Sequence, residues 1–298
     1  MKQKGEGMIF FHLFYCCIFN VMMIYRFNTV FFVALNALAF CSCKKVNEQN
    51  DQLYSRHLQR QVKLTIINTP VPDDKSKLNL IIFNDGQLLD DIGMKEIVAD
   101  LYAAKKITPV VIVGVHAGNR LQEYGISDYA RSGGAGSKAD HYACFIDNEL
   151  YAYAKKNAGV RKFNTVTIAG FGAGALSALD IAWDNADKIS KAGIFSGAFS
   201  RKESKADTSA NGEMYEKIKA SRKRPKTQYW FYAGKNGAAE IKSDDATDIE
   251  ANTNALIQLL GNKSFINTAD IAYQKANTNN IEAWKTVMPD FLEWALIK

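Results

Sequence analysis

The stretch from Thr165 to Leu176 constrains the fold of this chain more than any other. It reads Thr-Val-Thr-Ile-Ala, then Gly-Phe-Gly-Ala-Gly, and continues into apolar residues at helical spacing, Leu179, Ile181 and Trp183. The apolar run predicts a buried strand, the three glycines predict a tight turn, and the apolar stripe predicts an amphipathic helix. The chain must therefore accommodate a sharp strand-to-helix turn centred on Gly172.

The remaining chain alternates between short apolar runs and helical stripes. We predict further strands at Leu58–Asn68, Leu78–Phe83, Val110–Val115, Ala192–Phe195, Tyr229–Ala233 and Ile271–Gln274. We predict helices at Met94–Lys105, Tyr142–Tyr153, Ile249–Leu260 and Ala283–Ile297, and a helix candidate at Met214–Ile218. This alternation predicts an α/β fold with a mostly parallel twisted sheet and helices on both faces, a three-layer sandwich. Residues 117–138 read as a glycine-rich loop, and residues 200–226 as a polar, basic insertion.

Several polar or glycine-rich turns follow the predicted strands directly. Asp85-Gly86-Gln87 follows one strand, His116 follows another, and Gly234 follows a third. Because ligands bind outside the carboxyl ends of parallel strands, we expect these turns and the glycine turn to share one cleft.

The first 43 residues differ from the rest. They carry three basic residues and one acidic residue, two apolar runs, and the closing sequence Ser42-Cys43-Lys44-Lys45. This pattern is typical of a signal peptide and looks like a bacterial lipoprotein signal, with Cys43 as the lipidated residue. We therefore expect a signal at 1–43, a tether at 44–52 and a folded domain at 53–298, lipid-anchored in the bacterial cell envelope after export. Translation from Met22 or Met23 and an uncleaved transmembrane anchor remain alternatives.

Charge and cysteine content exclude several functional classes. The chain has 37 basic and 31 acidic residues, a net charge of +6, and removal of residues 1–43 lowers it to about +4. This charge is too small to indicate a nucleic-acid partner, and Arg222–Lys226 reads as a solvated loop. Cys144 is the one cysteine beyond the signal, so neither a disulfide framework nor a zinc site is expected. We predict no metal and no cofactor.

Several motifs of the chain resemble those of a known family. Five motifs occur in the family's order. They are the D-G-Q turn at Asn84–Gln87, an R-x-x-E-Y motif at Arg120 with Glu123-Tyr124, the glycine turn at Gly170–Leu179, a strand-end F-S-G at Phe195–Gly197, and a closing W…MPDFLEW helix at Trp284 with Met288–Trp294. The resemblance is to the α/β-hydrolase esterases of the enterochelin-esterase and esterase-D-like group, over residues 53–298. It implies an α/β-hydrolase fold and, for a typical member, carboxylic-ester hydrolysis.

The residues that such an esterase needs are absent from this sequence. In the G-x-S-x-G nucleophile elbow the serine position is Gly172. The resemblance places the acid at Gly237 and the histidine at Asn279. The four histidines are His12, His57, His116 and His141, and none follows the elbow, where this fold requires the general base. We therefore interpret the chain as a pseudo-esterase that binds a ligand or acts as a scaffold.

The cleft itself is expected to persist. Backbone N–H groups of Ala173 and of the Gly86-Gln87 turn form an anion pocket at a helix N-terminus in this interpretation. The candidate binding residues are Asp85, Gly86, Gln87, His116, Arg120, Glu123, Tyr124, Phe171 and Ala173. The ligands that the resemblance implies are acylated carbohydrates, aromatic esters and siderophores.

Two rival interpretations remain open. The glycines also fit the dinucleotide fingerprint G-x-G-x-x-A, but that fingerprint belongs at the first strand–helix turn of its domain, with an acidic residue ending the next strand. Alternatively, the protein is an active ester hydrolase with displaced residues, for example Ser177 or Ser196 with Glu240.

Overall fold

A computed structural model describes residues 45–130, 134–199, 212–234, 249–263 and 271–296. Lys45–Lys298 forms one compact unit, and residues 1–44 lie outside the described residues. Lys45–Lys298 contains every described strand and both clusters of buried apolar side chains. Because a domain with its own hydrophobic core can fold independently, Lys45–Lys298 is a folding unit.

The described strands form a single sheet of eight, in the order β1-β2-β4-β3-β5-β6-β7-β8. Strands β3 to β8 are parallel to one another, whereas β1 pairs antiparallel with β2, and β2 pairs antiparallel with β4. The bounds are β1 Asn47–Ser55, β2 Arg60–Asn68, β3 Asn79–Asn84, β4 Val110–Val115, β5 Val166–Phe171, β6 Lys191–Phe195, β7 Gln228–Gly234 and β8 Ala272–Ala276.

Helices cover both faces of this sheet. Their bounds are α1 Leu89–Ile92, α2 Met94–Ala103, α3 Arg120–Glu123, α4 Ala139–Cys144, α5 Tyr151–Ala158, α6 Ala173–Asp184, α7 Glu213–Ala220, α8 Ile249–Lys263 and α9 Ile281–Leu296. A π-helical turn, Phe145–Leu150, joins α4 to α5, and short 3-10 turns lie at Lys75–Lys77, Gly86–Leu88 and Ser127–Tyr129. Together they make the three-layer α/β architecture that the sequence predicts.

The alternation of side chains along each central strand builds two cores. On β3, Leu80 and Ile82 pack into the cluster covered by α4 to α8, while Ile81 and Phe83 pack into the cluster covered by α2 and α9. Because both faces of the sheet are covered, β3, β4 and β5 are buried along their whole length. This explains why they read as continuous apolar runs.

The predicted elements agree closely with the observed ones, with one correction. Residues 47–52, which the sequence presents as part of a tether, belong to β1 and pair with β2 in a nine-residue register. β1 is an edge strand whose side chains are mostly exposed, so polar residues are compatible with it and no apolar alternation marks it. The structured part of the chain therefore begins earlier than predicted.

Two predicted regions are described only in part. The 117–138 loop contains α3 and a 3-10 turn, and its residues 131–133 lie outside the described residues. The helix candidate in the 200–226 insertion corresponds to α7, and residues 200–211 lie outside the described residues. Across the described ranges, none of the helices combines the length and apolar character that crossing a membrane requires.

A substitution at Phe291 on α9 tests how much the core beneath the sheet contributes to stability. Its ring is fully buried and lies 5.1 Å from Phe195, 5.8 Å from Phe83 and 6.1 Å from Trp230, centroid to centroid. Phe291→Ala should lower the free energy of unfolding by about 3–5 kcal/mol, because it leaves a cavity among these rings. Urea unfolding measures the change. Tyr54→Ala on β1, where the side chain is 53% exposed, is the matched control and should cost less than about 1 kcal/mol; equal losses in both variants would contradict the assignment.

Candidate functional site

The glycine turn adopts the backbone geometry of a nucleophile elbow. β5 ends at Phe171, α6 begins at Ala173, and Gly172 between them has φ 55° and ψ −115°. These angles are strained for residues with a side chain and accessible to glycine. The N–H of Gly172 donates to the carbonyl of Phe195 at 2.9 Å, and its own carbonyl accepts from the N–H of Ala198 at 3.2 Å. The turn is therefore tied to the end of β6 on both sides.

Different constraints favour glycine at the three positions of the turn. A Cβ at Gly170 would lie 2.5 Å from the carbonyl of Gly174, and a Cβ at Gly174 would lie 2.7 Å from Asp85 Oδ2. At Gly172 the nearest atom to such a Cβ is Arg120 Nη2, at 3.6 Å, which is ordinary contact. Close packing thus explains Gly170 and Gly174 without a dinucleotide. At Gly172 there is room for a side chain, and only the backbone angles disfavour one.

A cleft of about 370 Å³ opens in front of the turn. Its lining is mainly apolar, with one cation, and consists of Arg120, Leu121, Tyr124, Gly125, Ala173, Leu176 and Ala198. The volume is in the range of small-molecule sites, which are mostly apolar with a few placed polar groups. Leu121 is 66% exposed and lies at the rim.

Asp85 and Arg120 form the main charged pair of the site. The fully buried Asp85 accepts from Arg120 Nε at 2.8 Å and Nη2 at 2.9 Å, and Arg120 Nη2 also donates to the carbonyl of Phe171 at 2.9 Å. Asp85 itself has a left-handed backbone, φ 63°. The Arg120 side chain is 47% exposed, so it presents a cation to the cleft while it fixes the last carbonyl of β5.

Tyr124 supports this pair from behind. Its hydroxyl accepts the N–H of Asp85 at 2.8 Å, and its ring lies under the Arg120 guanidinium, 5.5 Å from the centroid. Burial raises the pKa of the Tyr124 phenol well above its ordinary value, and the Asp85 carboxylate adds to this. The phenol therefore stays protonated and cannot act as a base at neutral pH.

Two residues that sequence reasoning missed hold the other side of the turn. Asn84 Nδ2 donates to the carbonyl of Gly174 at 2.7 Å, and Asn84 Oδ1 accepts from the Tyr142 hydroxyl at 2.7 Å. All of these atoms are buried. Asn84 directly precedes the D-G-Q turn, a position that could have indicated its role, whereas Tyr142 resembles any other apolar residue of its helical stripe.

The Gly86-Gln87 turn packs tightly against β4. A Cβ at Gly86 would lie 2.5 Å from the carbonyl oxygen of Gly114, so only glycine fits there. Gln87 Nε2 donates to Asp85 Oδ1 at 3.0 Å. Ala173 is the first residue of α6 and lines the cleft. An N–H group at this position suits an anionic or carbonyl oxygen, because the first N–H groups of a helix have no partner within the helix.

Six of the nine candidate binding residues do not line the cleft, contrary to the sequence-based expectation: Asp85, Gly86, Gln87, His116, Glu123 and Phe171. Glu123 is 2% exposed and accepts from Arg60 Nε at 2.8 Å, Arg60 Nη2 at 2.7 Å and the N–H of Gly118 at 3.0 Å, so it fixes the loop after β4. Phe171 is fully buried and stacks on Trp284 at 4.4 Å, so only its carbonyl belongs to the site.

The His116 ring is directed to β2. Its Nε2 lies 2.8 Å from Thr65 Oγ1. Burial lowers the pKa of His116 below its ordinary value, and the positive charge of Lys63 lowers it further. A neutral imidazole tied to a neighbouring strand is a structural group here, and the expectation that it faces the cleft is corrected.

Besides Gly172, the resemblance places catalytic residues at two positions, of which Asn279 is described and Gly237 is not. Asn279, where the sequence resemblance places the histidine, accepts from the indole N–H of Trp284 at 3.1 Å. Since Trp284 stacks on Phe171, Asn279 is linked to the elbow through two contacts. The adjacent carbonyl of Thr278 accepts from the Tyr232 hydroxyl at 2.8 Å. Gly237 and Glu240 lie outside the described residues.

The two serines considered as displaced nucleophiles have other partners. Ser177 is 2% exposed, and its hydroxyl accepts from the N–H of Gly125 at 2.9 Å and donates to the carbonyl of Gly125 at 3.1 Å. Ser196 is also 2% exposed and accepts from the N–H of Gly234 at 3.2 Å. Neither hydroxyl lines the cleft. Within the described residues, no three His, Cys, Asp or Glu side chains are grouped to hold a metal ion.

Comparison with known proteins identifies a family that matches this chain. A family model described as "Putative esterase" matches residues 55–294. No curated protein sequence matches the chain.

Among solved structures, the enterobactin esterase from Shigella flexneri, in the presence of 2,3-dihydroxy-N-benzoyl-glycine, is 16% identical with a TM-score of 0.65, over 86% of this chain and 61% of that one. A ferulic acid esterase is 14% identical with a TM-score of 0.63, over 85% of this chain and 98% of that one. The BES protein from Bacillus cereus is 17% identical with a TM-score of 0.60, over 85% and 95% of the two chains.

At these identities the structural matches establish the fold, and this chain spans less than two thirds of the Shigella esterase. The family match covers most of the sequence and includes the elbow, the D-G-Q turn and most of the closing helix. The chain therefore belongs to the esterase family and has the α/β-hydrolase fold.

Proposed function

We propose that this protein is a non-catalytic ligand-binding member of the esterase family, a pseudo-esterase. The observation that carries the proposal is Gly172, which holds the φ and ψ of an elbow nucleophile without a side chain to attack a carbonyl. Covalent ester hydrolysis on this fold needs a nucleophile at this position, activated by a histidine base. The sequence supplies no histidine after His141.

Further support comes from the groups that surround Gly172. Asn279 cannot act as a general base in place of an imidazole, because a side-chain amide does not titrate near neutral pH. The hydroxyls of Ser177 and Ser196 are buried and form hydrogen bonds with backbone groups. The retained features, a cleft, a helix N-terminus and the Arg120 cation, are binding features.

The cleft favours a small molecule with an apolar or aromatic body and an acceptor oxygen. Leu121, Leu176 and Ala198 supply apolar surface. Arg120 and Ala173 also line the cleft, and a guanidinium beside the first N–H of a helix suits a carbonyl or carboxylate oxygen. Acylated carbohydrates, aromatic esters and siderophores have this chemistry. The aryl amide named with the Shigella enterobactin esterase has it as well.

Restoring the triad tests the vacancy of the catalytic positions. The parent protein should hydrolyse p-nitrophenyl acetate no faster than the background. Gly172→Ser with Gly237→Asp and Asn279→His should raise the rate by at least about 100-fold, because a positioned base and nucleophile act together. The space around Gly172 accepts a Cβ.

Gly172→Ser alone is the matched control and should stay near the parent rate, since it supplies a nucleophile without a base. Turnover by the parent that disappears in Ser177→Ala or Ser196→Ala would instead establish an active hydrolase with displaced residues.

Ligand binding should appear as thermal stabilisation of the parent. 2,3-Dihydroxybenzoyl-glycine, ethyl esters of aromatic acids and acetylated xylo-oligosaccharides are suitable probes. A ligand present at about 100 times its Kd adds about 2.7 kcal/mol to the free energy of unfolding and so raises Tm. Ala198→Trp, which fills the cleft from an exposed position, should abolish the shift. An unchanged shift in that variant would place the ligand elsewhere.

We further propose that the protein is exported and anchored to the bacterial cell envelope through lipid on Cys43. The proposal is supported by the basic and apolar segment that precedes Ser42-Cys43. Expressed in bacteria with a labelled fatty acid, the full chain should carry the label and sediment with membranes. Cys43→Ala should lose the label, whereas Cys41→Ala, the matched control, should retain it. Membrane-bound protein that still contains residues 1–42 would demonstrate an uncleaved anchor instead.

A further inference from the structure

Basic side chains are concentrated at one edge of the sheet. The parallel strands β3 to β7 all begin at this edge, and the segments that lead into them are 69–78, 104–109, 159–165, 185–190 and 221–227. We call these five segments the entry edge. They contain three acidic residues, Asp73, Asp74 and Asp187, and eleven basic ones, Lys75, Lys77, Lys105, Lys106, Arg161, Lys162, Lys188, Arg222, Lys223, Arg224 and Lys226.

All eleven basic side chains are exposed. Four of them make ion pairs, Lys77 with Asp74, Lys106 with Glu293, Lys188 with Asp147 and Lys223 with Asp184. In the described part of the chain, no ion pair involves the six residues Lys75, Lys105, Arg161, Lys162, Arg222 and Arg224. The entry edge therefore carries a net positive charge that its ion pairs with described residues do not neutralise.

The described turns of the opposite edge, where the cleft lies, have no such excess. These turns are 56–59, 85–88, 116–130, 196–199 and 277–280, and their charged residues are Arg56, Arg120, Asp85, Glu123 and Asp128. Among the described segments that flank the strands, positive charge is thus concentrated on the side away from the cleft.

Helix termini account for part of this arrangement. The helices α2, α5 and α7 end at the entry edge, and cations near a helix C-terminus are favourable. The basic run from Arg222 to Lys226 lies beyond α7, in the non-helical segment that leads to β7. A concentration of this kind on one face attracts a negatively charged surface.

The chain also enters the folded unit at this edge. Asn47, the first residue of β1, is paired with Asn68, the last residue of β2, and Asn68 is paired with Val111 near the start of β4. Four peptide units separate Asn47 from Cys43, so an extended chain spans at most about 14 Å between them. A lipid on Cys43 would hold the entry edge close to the membrane.

We propose that the entry edge binds an anionic lipid surface, which orients the anchored protein with its cleft directed away from the membrane. The proposal rests on the proposed anchor for its orientation and on the charge of the entry edge for its affinity. Lys and Arg side chains near an anionic leaflet each strengthen binding about fivefold, and salt screens the attraction.

The test uses the folding unit Lys45–Lys298, which lacks Cys43, so its outcome is independent of lipidation. Sedimentation with phosphatidylethanolamine vesicles, with and without phosphatidylglycerol, measures binding over a range of salt. The unit should bind only the phosphatidylglycerol vesicles, and less tightly as salt rises. Arg161→Gln with Lys162→Gln, Arg222→Gln and Arg224→Gln should weaken binding by at least about 100-fold.

A matched control removes the same charge from exposed positions away from the entry edge, by Arg56→Gln, Lys63→Gln, Lys138→Gln and Lys285→Gln. It should change binding less than about threefold, with Tm values within a few degrees among all three proteins. Equal weakening in both variants would overturn the proposal in favour of a net-charge effect. Equal binding to neutral vesicles would also overturn it, as would tighter binding to double-stranded DNA than to the vesicles at the same salt.

Discussion

The elbow is held in place by two side chains that bind its flanking carbonyl groups. Arg120, paired with Asp85, donates to the carbonyl of Phe171, and Asn84 donates to the carbonyl of Gly174. Gly172, between these anchors, would be free to relax to other angles if it were unrestrained, because glycine has more accessible conformations than any other residue. It nevertheless keeps the angles of a nucleophile. The strained turn is therefore a property of the surrounding network, and the network also shapes one wall of the cleft. The geometry of the site can persist without the reactive side chain because that side chain does not maintain it.

The sequence predicts the layers of this fold well and the directions of its side chains poorly. Apolar runs identify β3 to β5 because both faces of the sheet are covered. β1 is missed because an edge strand with exposed side chains has no apolar pattern to detect. The same limit applies to the candidate site. A residue at the end of a strand can be placed at the cleft edge from sequence, but His116 turns to Thr65, and Glu123 turns to Arg60. These choices depend on partners that are distant in sequence. Asn84 and Tyr142 were overlooked for the same reason, since their pairing spans 58 positions.

The loss of a side chain at Gly172 changes what the cleft can accept. A serine Cβ there would lie 3.6 Å from Arg120 Nη2, so its hydroxyl would share the space in front of the guanidinium. With glycine, that space is open to a ligand oxygen, which can approach the cation and the start of α6 together. Binding in a cleft of this type benefits from such charge-assisted hydrogen bonds, while turnover would require a titratable base that the sequence does not provide after the elbow. Under the proposed function, glycine at the elbow is thus compatible with ligand binding and does not support hydrolysis.

A parallel sheet separates two surfaces by construction. Loops after the strands gather at one edge and loops before the strands gather at the other, because all parallel strands point the same way. In this chain the first set builds the cleft around Arg120, and the second set carries the unpaired basic side chains such as Arg161 and Arg222. The β1–β2 hairpin adds the constraint that decides the orientation, since its antiparallel pairing brings the start of the folded chain to the basic edge. Had β1 run in the opposite direction, an anchor preceding it would have held the cleft against the membrane. In the proposed anchored orientation, the direction of one polar edge strand therefore determines which surface faces away from the membrane.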